Sequence, residues 1–204
     1  LIENLKKKKI IKTFILPLVG KHNVQNCLAA ISLSRSLNIS YTKIKKSIGQ
    51  FQGVKRRFSI LSNKNGNLII DDYAHHPSEI KATLESLKLI SKKNIITIIE
   101  PHRFSRLTSF LPDFIKSLSE SNSIFVLPVY SAGEKLKSRI NSQSFYKLLE
   151  KKFKRKYVYL VTNEKKFFEN LEKKITPEDN IIFLGAGRST IIAEKFCKYL
   201  GVIK

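Results

Sequence analysis

Four short stretches of the sequence gather residues able to do acid–base or anion chemistry. The stretch Asp71-Asp72-Tyr73-Ala74-His75-His76-Pro77 sets two carboxylates and two imidazoles within six residues, too polar a cluster for packing alone. Its plain alternative is an N-cap aspartate beside surface histidines. A metal site is a further alternative, but adjacent histidines point different ways and the chain has only 4 His. The stretch Glu100-Pro101-His102-Arg103-Phe104-Ser105-Arg106 places two arginines three apart at a predicted helix start. On one helix face they would both grip a carboxylate or phosphate. Cations at a helix N-terminus oppose its dipole, which suggests that an anion completes the site; a solvated basic turn is the other reading. Tyr130-Ser131-Ala132-Gly133-Glu134 is a turn with a polar tip, and Gly185-Ala186-Gly187 is a glycine-rich turn before a helix. Such a turn offers backbone N–H groups to an anion, and tight helix–strand packing explains it equally well.

These stretches fall at the ends of apolar runs. Lys9 to Leu18 is predicted as a strand leading to a turn at Gly20, followed by helices over 23–37 and 39–51. Gly53 then breaks the pattern, and a domain boundary is placed there, giving segments 1–53 and 54–204. A hairpin follows, with the Asn65-Gly66 pair supplying the positive φ angles of a tight turn. Beyond it, helices over 78–90, 107–119, 142–152, 164–174 and 189–200 alternate with strands over 94–99, 123–128, 157–161 and 180–184. Short apolar strands alternating with amphipathic helices predict an α/β fold, Rossmann-like, its mostly parallel sheet covered by helices on both faces. In such a sheet ligands bind at the C-terminal strand ends, where the polar stretches lie.

The 204 residues carry 38 Lys+Arg against 16 Asp+Glu, a net charge of +22. Clustered cations raise the possibility of a nucleic-acid partner. The lysines are instead scattered, in runs such as Lys6–Lys9, Lys43–Lys46 and Lys151–Lys156, which read as solvated faces. No aromatic RNA-binding motif, finger spacing or helix-turn-helix pattern accompanies them, so a generically basic surface is the favoured reading. No apolar stretch is long enough for a membrane helix. Cys27 and Cys197, the 2 cysteines, are far apart among apolar residues and fit buried thiols in a reducing cytoplasm. The chain contains no Met, which suggests a piece of a longer protein. It also lacks a GxxxxGK[ST] phosphate loop, so by itself it is not a P-loop nucleotide hydrolase.

Six blocks in order resemble the Mur ligase family: Gly20–Ala30 (GKHNVQNCLAA), Phe51–Phe58 (FQGVKRRF), Asp71–Pro77 (DDYAHHP), Glu100–Arg106 (EPHRFSR), Val129–Glu134 (VYSAGE) and Leu184–Gly187 (LGAG). The blocks Asp71–Pro77 and Glu100–Arg106 point to its alanine-adding member, while Arg188-Ser189-Thr190 departs from the pattern. The resemblance implies the tail of a central ATPase domain over 1–53, followed by a C-terminal Rossmann-like domain that holds the amino acid. It implies ATP and Mg2+ as cofactors, with the metal ligands mainly in a missing N-terminal part, and UDP-N-acetylmuramate and L-alanine as substrates in a bacterial cytoplasm. The implied reaction phosphorylates the sugar's lactyl carboxylate; the alanine amine then attacks the acyl phosphate. Residue by residue, His22, Asn23 and Asn26 match the block near adenine, Asn23 alternatively being a helix cap. Arg57 matches an arginine reaching the ATP phosphates, and Asp72 an acid on the ribose. Tyr73, His75, His102, Arg103 and Arg106 match the amino-acid end, as does Glu134. No metal ligand is expected here, and the segment alone is expected to be inactive. The competing reading is a non-catalytic basic α/β module binding nucleotides or RNA.

Overall fold

The computed structural model describes residues 2–5, 8–64, 66–135, 140–154 and 157–203. Of the basic runs, Lys6, Lys7, Arg155 and Lys156 lie outside the described residues, as does Asn65 of the expected hairpin turn; Gly66 has a φ of 80°. The chain forms two compact units, Leu1–Val54 and Lys55–Lys204. In the first, β1 (Ile2–Leu5) and β2 (Lys8–Ile11) pair antiparallel, followed by α1 (Lys21–Ser36) and α2 (Tyr41–Gly49). The predicted strand over 9–18 therefore ends at Ile11. The Ser40 hydroxyl accepts the Lys43 N–H and starts α2.

The second unit holds a six-stranded sheet in the order β3-β4-β8-β5-β6-β7. Its strands are β3 (Ser59–Lys64), β4 (Asn67–Asp72), β5 (Asn94–Ile99), β6 (Ser123–Val126), β7 (Tyr157–Leu160) and β8 (Asp179–Leu184). Only the β3–β4 hairpin is antiparallel. Alternation along the strands sends side chains to two cores. Ile70, Ile95, Ile99, Ile124, Val126 and Leu184 meet α3 (Pro77–Ile90), α4 (Phe104–Ser109), α5 (Leu111–Ser117) and α6 (Ser142–Lys152). On the other face Ile96, Ile98, Phe125, Ile181 and Phe183 meet α7 (Glu164–Lys174) and α8 (Ser189–Tyr199). Both faces are thus covered, as parallel strands require. The single helix expected over 107–119 is two, broken at Phe110, because Pro112 in the first turn of α5 has no N–H to continue α4. Cys197 is fully buried among this second core, and burial pushes its thiol up to about 11, so it is an inert packing group. No helix among the described residues is long and apolar enough to cross a membrane.

Candidate functional site

At the end of β4 the chain turns sharply, and Asp72 builds the turn. Its carboxylate is 6% exposed. One oxygen accepts the Ala74 N–H at 2.7 Å; the other accepts the Phe58 N–H at 2.9 Å and the Thr83 hydroxyl at 3.4 Å. Three protein donors thus occupy the group expected on the ribose. Tyr73, next along, takes Arg56 and Arg57 over its ring at 4.6 and 5.3 Å from the centroid. Glu79, in the first turn of α3, accepts the His75 and His76 N–H groups at 3.0 and 3.1 Å and lies 3.8 Å from the Arg57 guanidinium. Burial pushes its carboxyl up, and the two N–H bonds, His75 and Arg57 outweigh that, leaving it below the usual glutamate value.

The end of β5 faces this turn. His75 and His102 stand 5.4 Å apart between ring centroids, flanked by Tyr73 (5.1 Å from His75) and by Tyr130 (5.3 Å from His102). The His75 Nδ1 donates to the Tyr73 carbonyl at 2.9 Å, since a carbonyl can only accept. His102 shows the opposite arrangement: Arg106 Nη1 donates to its Nδ1 at 3.2 Å. Burial first, then the charges of His75, Arg106 and Arg103, hold the His102 imidazole below its ordinary value and keep it neutral. A neutral ring that accepts at Nδ1 carries its proton on Nε2. The geometry thus fixes a donor at the His102 Nε2 and a donor at the His75 Nδ1.

Arg103 and Arg106 do not share a helix face as expected. The helix begins at Phe104, and Arg103 precedes it in the left-handed region, with a φ of 69°. That backbone is held by its N–H donating to the Tyr130 carbonyl at 2.8 Å, beside a parallel bridge between His102 and Tyr130. Arg103 is exposed and Arg106 half-buried against His102. Glu134 serves α4: it accepts the Ser105 N–H at 3.0 Å and hydroxyl at 2.6 Å, and these bonds lower its carboxyl.

The glycine-rich turn after β8 already contains its anion. Glu100, 3% exposed, accepts the N–H groups of Gly187, Arg188 and Ser189 at 3.0, 2.9 and 3.2 Å. Nothing in the one-dimensional pattern announces this, because only the pairing of β5 with β8 brings residue 100 to residue 187. In the first unit, His22, Asn23 and Asn26 lie in the opening turns of α1, whose cap is Gly20 rather than Asn23. The Asn23 amide donates to the Val19 carbonyl at 2.7 Å.

Residues 56–187 match the Mur ligase, glutamate ligase domain. The chain belongs to the Mur ligase family. It is 38% identical over 191 residues to a UDP-N-acetylmuramate–L-alanine ligase of Rhizobium johnstonii, covering 93% of this chain and 40% of that protein. A protein of the same name from Rickettsia bellii is 36% identical over 206 residues, covering 98% of this chain and 42% of its own length. The chain thus spans about two-fifths of the curated relatives it matches. A crystal structure of the UDP-N-acetylmuramate–alanine ligase of Thermotoga maritima superposes with a TM-score of 0.75 at 29% identity, over 96% of this chain and 41% of that one. A murein peptide ligase of Psychrobacter arcticus superposes at 0.65 with 19% identity over 94% of this chain and 39% of its own, a likeness of fold alone.

In this Mur ligase chain the second unit brings Tyr73, His75, His102, Arg103 and Arg106 to the ends of β4 and β5, which flank β8, with Arg57 over the Tyr73 ring. Asp72, buried, and Glu134, at the surface, hold the turns themselves. Sequence reasoning missed Glu79, Glu100 and Tyr130 as parts of this cluster.

Proposed function

We propose that the chain is the C-terminal part of an ATP-dependent ligase that joins L-alanine to UDP-N-acetylmuramate, and that its second unit holds the amino acid. The observation that supports this most is the donor set around His102. A free amino acid offers a carboxylate that needs donors, and the His102 Nε2, left as a donor because Arg106 donates to its Nδ1, supplies one. Arg103 and Arg106 add positive charge beside His102 for the carboxylate. Tyr73 and Tyr130 close the row at either end. Holding alanine by its carboxylate leaves the amine directed at its electrophile, and this orientation is the domain's contribution to rate.

On the nucleotide side, Arg57 reaches the ATP phosphates, with Glu79 and the Tyr73 ring steadying the arginine meanwhile. His22, Asn23 and Asn26 contact adenine, as the likeness to the family suggests. Asp72 takes a different part from the one expected: it fixes the Tyr73–Ala74 backbone, and at most one of its lone-pair positions remains for a ribose hydroxyl. Among the described residues no group of three or more His, Cys, Asp or Glu forms a metal cradle. The likeness to the family puts the magnesium ligands mainly in a part of the longer protein that this chain does not contain. ATP supplies the phosphoryl group that makes the sugar's carboxylate an electrophile, and the reaction takes place in the cytoplasm.

Arg103→Ala in the complete ligase tests this division. Losing a charge-assisted contact to a carboxylate should raise the alanine KM by roughly 30-fold or more, about 2 kcal/mol, with the ATP KM little changed. Lys at 103 should restore the charge without the planar fork and recover only part of the loss. An alanine KM untouched by Arg103→Ala, with ATP KM raised instead, would reverse the assignment.

A further inference from the structure

The glycine-rich turn of an α/β sheet ordinarily invites a substrate phosphate. Here a side chain of the protein itself fills it. Glu100 sits one residue beyond β5, almost wholly buried, with three backbone N–H groups of the β8–α8 turn on its two oxygens. Burial raises its carboxyl, and the three N–H bonds and Arg188 offset that only in part, leaving it above the usual glutamate value. The turn is shaped around this group. A Cβ on Gly185 would come within 2.8 Å of the Glu100 Cβ. A Cβ on Gly187 would lie 2.7 Å from Glu100 Oε2 and 2.4 Å from Tyr130 Cγ. Glu100, the bare Gly187 backbone and the Tyr130 ring are therefore packed in one stack. Tyr130 in turn lies on His102, with ring planes 29° apart, and its carbonyl holds the Arg103 backbone.

We propose that Glu100 is a positioning residue: as a resident anion it fills the backbone cradle of the β8–α8 turn, and through Gly187 it seats Tyr130 against His102. The turn is thereby closed to substrate phosphate, and its glycines serve the amino-acid pocket. The assignment of that pocket to an amino acid rests on the function proposed above; the coupling from Glu100 to His102 does not.

The test uses the 204-residue chain and reads the His102 ring protons by NMR, where the ring current of Tyr130 marks the stack. Tyr130→Ala sets the position for a lost stack, and the His76 ring serves as control. Glu100→Ala should move the His102 signals toward the Tyr130→Ala position and leave His76 in place. Added formate, a small carboxylate that fits the vacated cradle, should return them toward wild type, and it should have no effect on the wild-type chain. Glu100→Gln, whose NH2 must face either the Arg188 N–H or the Gly187 and Ser189 N–H groups, should move the His102 signals part of the way toward the Tyr130→Ala position. Should Glu100→Ala fail to fold, Glu100→Asp, which withdraws the carboxylate by one methylene from the three N–H groups, should show a displacement in the same direction, without rescue by formate because its own carboxylate still fills most of the space. His102 signals that stay at the wild-type position in the folded Ala or Asp variant would overturn the proposal, as would indifference of the Ala variant to formate. In the complete ligase Glu100→Ala should also raise the alanine KM about tenfold with the ATP KM unchanged. An unmoved alanine KM beside displaced His102 signals would instead refute the amino-acid reading of the pocket and leave the coupling standing.

Discussion

Gly187→Ala is the sharpest stability test of the site's construction. Gly187 does not sit at positive φ, so alanine meets no backbone penalty and the whole cost is steric. The added Cβ would fall 2.4 Å from Tyr130 Cγ, 2.6 Å from its Cδ2 and 2.7 Å from Glu100 Oε2. The first of these atoms is the root of the ring, which cannot retreat without rotating the whole side chain off His102. Overpacking of this kind costs about 1–3 kcal/mol, and three simultaneous overlaps place it near 3. For a unit of this size that lowers the midpoint of thermal unfolding by roughly 6–12 °C. Tyr130→Ala removes two of the three overlaps, so in that background Gly187→Ala should cost less by about 1 kcal/mol or more. Urea unfolding of the four chains, followed by amide signals of the second unit, measures the cycle. Equal costs in both backgrounds, or a cost below about 0.5 kcal/mol in the wild type, would refute the packing argument.

Asp72→Asn should destabilise the chain by about 1–3 kcal/mol, because either orientation of the amide sets its NH2 against a backbone N–H, of Phe58 or of Ala74. Unfolding at neutral pH checks this, and wild-type stability would count against the role given to Asp72. Asp71 gives a pH dependence of defined sign. It is 1% exposed, and burial pushes its carboxyl from 3.8 to about 6, with Asp72 and Glu194 adding to the rise and the Thr190 hydroxyl and Arg56 opposing it. Its folded pKa is the higher one, so its contribution is full below 3.8 and is lost as pH rises through 6, by up to about 3 kcal/mol. Asp71→Asn should therefore gain on the wild type between pH 4 and 7 in denaturant titrations; a difference that does not vary with pH would contradict the assignment.

Much of this arrangement was legible in the sequence, for identifiable reasons. Helices α6 and α7 begin where Asn141 and Asn163 cap them, each side chain accepting an N–H three residues on at 3.0 Å. Strand β5, with five buried residues in six, reads as a buried parallel strand at sight. The split of α4 from α5 was also written there: the apolar spacing of Leu107, Leu111, Phe114 and Leu118 runs on through Pro112, and the proline should have weighed more than the period. Other features are set by tertiary contacts. Arg103 and Arg106 share a face only if the helix has begun by Arg103, and the bond from Arg103 N–H to Tyr130 delays it by one residue. Asp72 and Glu134 look like ligand-binding acids in sequence because their donors, Phe58 and Ser105, are brought to them by the hairpin and by the loop after β6. Glu100 is the clearest case: a carboxylate at a strand end reads as exposed, and its three partners are 87 to 89 residues away.

The central claim is that this chain holds alanine for an ATP-driven ligation, and the purified ligase carrying it as its C-terminal part tests that most directly. Incubated with UDP-N-acetylmuramate, L-alanine and Mg-ATP, it should form UDP-N-acetylmuramoyl-L-alanine with one ADP and one phosphate per product, while the 204-residue chain alone should form none. A folded ligase that leaves alanine unreacted while consuming ATP, or turnover by the isolated chain, would contradict the account.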